Sequence, residues 1–288
     1  MTDRRPTPQS VAMLLEHAML VLSALSETAS LDVQVLLGHV LEQPRAWVLA
    51  HPEAVVEAAR VQYFLDLLQR LVQGEPLAYI LGHWEFYGLP FVVTPDVLIP
   101  RPETELLVAA ALEWLRIQKA YTLAADVGTG SGCIAVSLAV NNPSVRVLAS
   151  DISAAALYVA QANVRQHEVQ ERVLCVQADL LPESAEQIDL VCANLPYIPR
   201  EALKELPVSR QEPILALDGG GDGLELIYRL VINLPGRMAA NGLALVEIEA
   251  SQGAAATNMA RQVFPQAEIA VLRDLAGDER LLRIGVAG

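Results

Sequence analysis

Residues 122–151 read TLAADVGTGSGCIAVSLAVNNPSVRVLASD. The apolar run 122–127 reads as a buried strand, and 131–141 carries a helical apolar pattern. Between them, Gly128, Gly130 and Gly132 let the backbone turn tightly and approach a ligand closely. A second strand, 145–150, leads to Asp151. The alternation continues downstream, with strands predicted at 172–178, 188–193, 243–248, 267–272 and 280–286. Helices are predicted at 103–119, 153–167, 224–239 and 251–263. The fold class is therefore α/β, a mostly parallel sheet covered on both faces, with ligands expected at the carboxyl ends of its strands.

The loop Asp126-Val127-Gly128-Thr129-Gly130-Ser131-Gly132 narrows the ligand. A dinucleotide G-x-G-x-x-G fingerprint needs glycine at 133, where Cys133 stands, so a nicotinamide dehydrogenase is disfavoured. The pattern is closer to the D-x-G-x-G-x-G loop of methyltransferases that use S-adenosylmethionine. Asp151 then stands where a carboxylate accepts hydrogen bonds from both ribose hydroxyls, and Asp179 where a side chain meets an adenine edge. The plain alternative is a glycine-rich connection without a ligand.

The strand 188–193 runs into Asn194-Leu195-Pro196-Tyr197. A polar side chain, a proline-stiffened turn and an aromatic ring make a slot for a flat polar group. The Asn194 side-chain oxygen can accept one N–H of an NH2 group, and the carbonyl of Leu195 or Pro196 the other. Tyr197 can pack on the group's face. An amide or aromatic amine nitrogen is a weak nucleophile, and two acceptors help it pyramidalise and aim its lone pair at a methyl carbon. The plain alternative is a surface turn.

Upstream, 10–73 reads as helical. Val11, Leu14, Leu15, Ala18, Leu22 and Leu25 form one stripe. Ser30 is expected to cap a second helix through Leu41, and a third runs from Val56 to about Gly74. The expected organisation is a helical bundle over 1–74, a linking β-hairpin over 75–98 and the α/β domain over 99–288. Trp84, Phe86 and Tyr87 are expected to pack between the two domains.

Acidic side chains outnumber basic ones 34 to 20, which makes free nucleic acid a poor partner. Three cysteines without a CxxC pair, and histidines without HxxxH spacing, argue against a disulfide framework or a metal centre. Residues 1–10 lack an apolar signal core, and Glu16 and His17 interrupt 11–25, too short a stretch to span a bilayer. A soluble cytoplasmic protein is expected.

The chain resembles the release-factor glutamine methyltransferases, the HemK/PrmC group, along nearly its whole length. The resemblance rests on GEPLAYILGHWEFYGLPF, VLIPRPETE, DVGTGSGCIAVSLA, SDISAAAL, NLPYIP, EPILALDGGGDGLELIYRL and RDLAGDER. It implies methyl transfer from S-adenosylmethionine to the side-chain nitrogen of the glutamine in the GGQ tripeptide of peptide chain release factors. It also implies a Rossmann-like class I methyltransferase domain with a seven-stranded sheet behind an N-terminal helical domain that recognises the partner. By the same resemblance, Gly128, Thr129, Gly130, Ser131 and Gly132 hold the methionine part, Asp151 the ribose, and Asp179 with Leu180 the adenine edge. Asn194 binds the substrate glutamine close to the cofactor, with Leu195, Pro196 and Tyr197 completing the slot. Two positions depart from the family: Leu195 replaces the first proline of Asn-Pro-Pro-Tyr, and Glu249 replaces the glycine of Glu-Ile-Gly.

Arg101, Glu103 and Glu105 read either as the cofactor entrance or as a helix start. Glu212-Pro213 and the run Gly219–Gly223 read either as a lip over the site or as a flexible loop. Cys133 and Cys192 read as inert buried thiols. Two rival functions remain: an adenine N6 methyltransferase acting on DNA or RNA, which shares the Asn-Leu-Pro-Tyr wording, and a catalytically idle cofactor-binding protein.

Overall fold

The computed structural model describes residues 7–26, 28–118, 121–185 and 187–287, and the chain divides into two compact units, 1–82 and 83–288. The first six residues, part of the stretch expected to lack a signal core, lie outside the described residues. Among the described residues no helix is long and apolar enough to cross a membrane.

In the first unit, β1 (Gln9–Ser10) leads into α1 (Val11–Leu22) and α2 (Ala29–Leu41) follows. Then come α3 (Arg45–Ala50), β2 (Val55–Val56), α4 (Ala58–Val72) and α5 (Leu77–Leu81). The Ser10 hydroxyl caps α1 by accepting from the Met13 N–H, and the stripe Val11, Leu14, Ala18, Leu22 is buried. Ser30 is not the cap of α2. That helix starts at Ala29, and the Asp32 carboxylate gathers the hydroxyls of Ser26 and Thr28 ahead of it. Ser30 instead accepts from the Gln34 side chain. The linking segment expected over 75–98 begins with α5, and the hairpin proper belongs to the second unit.

The second unit opens with β3 (His83–Phe86) and β4 (Leu89–Val92), an antiparallel pair. Tyr87 and Gly88 both have positive φ, 51° and 70°, the twist that a two-residue hairpin turn favours. Phe86 and Phe91 meet edge-on, 6.2 Å between centroids, inside this unit's own core. A 3-10 turn, Pro102–Thr104, leads into α6 (Glu105–Arg116). The predicted end of this helix at 119 lies outside the described residues. There follow β5 (Thr122–Val127), α7 (Cys133–Asn141), β6 (Val145–Asp151), α8 (Ala154–Gln166) and β7 (Val173–Gln177). After these come β8 (Ile188–Ala193), α9 (Arg200–Leu203), α10 (Glu225–Asn233) and β9 (Met238–Glu247). The unit closes with α11 (Gly253–Val263), β10 (Glu268–Arg273) and β11 (Glu279–Gly285).

Seven strands form one sheet in the order β10-β11-β9-β8-β5-β6-β7, and only β11 runs antiparallel to its neighbours. The expected α/β, mostly parallel sheet is present. One predicted helix is shorter than its apolar pattern. The span 224–239 ends at Asn233: Leu234 keeps helical backbone, but Pro235 has no N–H to extend the helical ladder and Gly236, with φ +80°, turns the chain. β9 consequently starts at Met238, not 243.

Alternation along β5 splits the core into two layers. Ala124 faces Leu107, Leu138 and Val164 of α6, α7 and α8. Ala125 and Val127 face Ile227 and Leu230 of α10 with Ala256 and Ala260 of α11. From β5 the chain moves out through β6 and β7, then returns to β8 on the other side of β5. Such a reversal opens a crevice at the carboxyl ends of the two strands.

Candidate active site

Both loops singled out by sequence leave that crevice. Val127 pairs with Ala193 at the ends of β5 and β8, so Gly128 and Asn194 start side by side. Gly128 has φ +73°, and a Cβ there would stand 2.9 Å from Leu195 Cδ2. Only glycine tolerates both the backbone angle and the approach. The Leu195 side chain is buried against it, inside the α10 and α11 layer of the core.

The loop is held by carboxylates. Asp151 Oδ2 accepts from the Gly130 N–H at 2.9 Å, and Oδ1 from the Ser153 N–H at 2.8 Å. Asp126 Oδ2 accepts from the Thr129 hydroxyl at 2.6 Å and from the Ala135 N–H at 3.1 Å. Asp126 Oδ1 has no partner among the described residues. Burial pushes the Asp126 carboxyl up to about 7, although both hydrogen bonds favour its charged form.

A cavity of about 750 Å³ opens over these loops. Gly128, Thr129, Gly130, Ser131, Asp151, Asp179, Leu180, Asn194, Leu195 and Pro196 all line it. Gly132 and Tyr197 do not. Gly132 precedes the first turn of α7. Tyr197 turns its hydroxyl to the Glu247 carboxylate, 3.3 Å away, and burial raises its pKa. Asp179 accepts from the Arg229 guanidinium of α10 at 2.6 Å, in an exposed pair.

Sequence reasoning missed the surroundings of Asn194. Its Nδ2 donates to Thr104 Oγ1 at 2.9 Å, and the Thr104 hydroxyl donates to Glu247 Oε2 at 2.7 Å. Glu247 ends β9 and is buried, and burial pushes its carboxyl up to about 7. Nothing local could have revealed this chain, since Thr104 lies 90 residues from Asn194 and 143 from Glu247.

Of the other candidates, Arg101 lines the cavity and pairs with Glu212, while Glu105 starts α6 and accepts from the Tyr87 N–H. Glu212 is buried and also accepts from the Ile99 N–H at 3.0 Å. The run Gly219–Gly223 is a buttress. A Cβ on Gly219 would stand 2.7 Å from Tyr197 Cα, and Gly223 abuts the Tyr197 carbonyl. Glu249 caps the turn 250–252 by accepting from the Ser251 N–H, and Gln252 of the same capping box donates to the Tyr197 carbonyl at 3.0 Å. Cys133 and Cys192 are buried, and burial pushes the Cys133 thiol up to about 12. Among the described residues no group of His, Cys, Asp and Glu side chains could hold a metal ion.

Residues 13–82 match the PrmC N-terminal domain family, and 104–208 the methyltransferase small domain family. A release factor glutamine methyltransferase of Moorella thermoacetica is 44% identical over 256 residues, 88% of this chain and 90% of that protein. One of Bordetella pertussis is 43% identical over 258 residues, 87% of this chain and 93% of that protein. The structure of the N-terminal domain of human METTL16 in complex with SAH matches at TM-score 0.50 and 18% identity, over 70% of this chain and 77% of that one, a likeness of fold alone. Identity at this level over nearly the full length of both chains is decisive: this chain belongs to the release factor glutamine methyltransferase family.

Proposed function

We propose that this chain methylates the side-chain amide nitrogen of the glutamine in the GGQ tripeptide of peptide chain release factors, with S-adenosylmethionine as donor. The observation that carries the reading is the Asn194 amide, anchored through its NH2 on Thr104 at the rim of a cavity floored by the glycine loop. Its oxygen takes no hydrogen bond from the described residues and is left to accept an N–H from an incoming carboxamide.

The residues present fit the donor. Gly128 to Gly132 offer a loop whose backbone a ligand can approach, and hold the methionine part. The Asp151 oxygens each accept one backbone N–H and keep further acceptor capacity for the ribose hydroxyls. Asp179 and Leu180 line the same cavity, where they would border the adenine edge. When bound, S-adenosylmethionine supplies an electrophilic methyl carbon on a positively charged sulfur.

The protein's part is positioning. Asn194 Oδ1 and a carbonyl of Leu195 or Pro196 accept the two hydrogens of the glutamine NH2, and Tyr197 stiffens the turn. Held this way, the nitrogen lone pair is aimed at the methyl carbon and its developing positive charge is stabilised. As the N–C bond forms the methyl's C–S bond would break, its electron pair staying on sulfur to leave the neutral thioether S-adenosylhomocysteine; the methylated nitrogen is then acidic enough to lose a proton to water, so no histidine base is needed. The helical unit recognises the release factor. Free Cys133, Cys175 and Cys192 agree with a reducing cytoplasm.

The test is mass spectrometry of a release factor incubated with the protein and S-adenosylmethionine. One added methyl on the GGQ peptide is expected. An unmodified peptide beside methylated RNA or DNA refutes the reading.

A further inference from the structure

We propose that Thr104 and Glu247 are positioning residues: a buried carboxylate, acting through one hydroxyl, fixes which end of the Asn194 amide faces the substrate. The proposal rests on the reading that Asn194 accepts from the glutamine NH2.

The two ends of an asparagine amide are nearly equal in shape and opposite in hydrogen bonding. Turned one way, Asn194 offers an acceptor to the substrate NH2. Turned the other way, it offers donors to a donor, and the slot repels the group it must hold. Thr104 has one hydroxyl proton. Glu247 Oε2, 2.7 Å away, can only accept while ionised, so the proton goes there. Toward Asn194 the Thr104 oxygen can then only accept, and at 2.9 Å it demands the NH2 end. The charge at the end of the chain thus dictates the direction of every link. Thr104 is 2% exposed and Glu247 1%, so water has little access to compete for either group.

The same carboxylate takes the Tyr197 hydroxyl on Oε1. Both ends of the tetrapeptide therefore answer to Glu247, one directly and one through Thr104. Register brings them together: Val246 pairs with Ala193, so Glu247 and Asn194 both follow that pair at neighbouring strand ends.

Protonation undoes the lock. A neutral Glu247 carboxyl can donate to Thr104, whose own proton then turns toward Asn194 and calls for the amide oxygen. Burial is the main force raising this carboxyl, and Glu103 adds to it; Arg280 and the hydroxyls of Thr104 and Tyr197 oppose it. Cys133 lies within electrostatic reach of this carboxylate, and burial pushes its thiol up.

The experiment compares turnover and cofactor affinity in Thr104→Val, Thr104→Ser, Glu247→Gln and Asn194→Ala. T104V is expected to lower kcat by about 10-fold or more, less than the roughly 100-fold or greater cost of losing a direct transition-state hydrogen bond because Thr104 acts through Asn194, with cofactor Kd unchanged. T104S, which restores the hydroxyl, is expected to recover most of that loss. The acid limb of kcat in the wild type should be less steep in E247Q. Wild-type kcat in T104V overturns the proposal. So does equal impairment of T104V and T104S, or a fall in cofactor affinity parallel to kcat, since a merely structural role would produce either. An unaltered acid limb in E247Q also overturns it. Full turnover in N194A removes the underlying reading and this proposal with it, whereas loss in N194A with normal T104V rejects the proposal alone.

Discussion

Asp126 costs the second unit stability at neutral pH, and the size of that cost can be measured. The carboxyl is fully buried, and burial raises it from 3.8 to about 7. Between those values the folded protein holds a proton that the unfolded chain has released. Stability is therefore fully present below about pH 4 and falls as pH rises toward 7. Each pH unit between the two values is worth about 1.4 kcal/mol, so the whole effect is about 4 kcal/mol. Asp126→Asn has no proton to lose. Its amide oxygen can still accept from Thr129 and Ala135, while its NH2 falls where Oδ1 has no partner. That mismatch lowers stability by about 1–3 kcal/mol at every pH, so the slope and not the level is diagnostic. Fluorescence can isolate the relevant unit. Trp47 stacks on His51 in the first unit, whereas Trp84 and Trp114 belong to the second, so a Trp47→Phe background reports the second alone. In urea titrations between pH 5 and pH 8, the protein with Asp126 should lose about 3 kcal/mol more than D126N, from two pH units of titration. Glu247 slopes the same way in both proteins and cancels. Parallel curves, within about 1 kcal/mol, would show that Asp126 is already ionised at pH 5 and defeat the reasoning.

Asn194→Ala should lower turnover at least about 100-fold, as loss of an oriented transition-state contact does, with cofactor affinity within a few-fold of normal; undiminished turnover removes Asn194 from the mechanism. Asp151→Ala removes the pins on Gly130 and Ser153 together with the proposed ribose acceptors, and calorimetry should show cofactor Kd raised about 100-fold. An unchanged Kd takes Asp151 out of the site. Gly128→Ala combines a left-handed backbone with a Cβ crowding Leu195 Cδ2 and should cost about 1–3 kcal/mol of stability by urea unfolding. Adding Leu195→Ala relieves the crowding but not the angle, so the two substitutions should cost less than their sum; strict additivity would refute the contact. Glu212→Ala strands the Ile99 N–H and unpairs Arg101, with an expected loss of about 1–3 kcal/mol, and a neutral result would show the pair idle.

The strands and the glycine loop were legible because their signals are local: apolar runs of strand length, each followed by a turn chemistry only a few residues long. The same logic failed at 224–239, where Leu234 and Met238 continued an apolar pattern that Pro235 had already ended. It failed again at Ser30, because Asp32 gathers hydroxyls from Ser26 and Thr28 and leaves the nearest serine inside the helix. In the site, Asn194 and Asp151 could be picked out as polar groups at strand ends. Thr104 could not. Its importance comes from a hydroxyl caught between two partners far along the chain, and a threonine before a helix looks the same with or without them. The Gly219–Gly223 run shows a different limit. Glycine content signals that backbone must do something unusual, and sequence cannot say whether that is motion or, as here, a close approach to Tyr197.

The order of the strands accounts for the order of the proposed roles. Along one edge of the sheet stand the end of β9 with Glu247, then β8 with Asn194, β5 with Gly128, β6 with Asp151, and β7 followed by Asp179. Strands lie about 4.8 Å apart, so β8 to β7 spans about 14 Å across that edge. In the proposed arrangement, a long donor laid across it has its base toward β7, its ribose at β6 and its sulfur near β5, one strand from Asn194. The acceptor must then enter on the β8 side, because the base and the ribose fill the other. The polar chain that sets the Asn194 amide comes from β9 and the turn before α6, on that same side. On that proposal donor and acceptor meet where β5 and β8 part, and neither needs to cross the other's half of the crevice. Moving the carboxylate of Glu247 to the β6 side would bring it to the ribose and out of reach of the amide, which is why its position at the end of β9 matters as much as its charge.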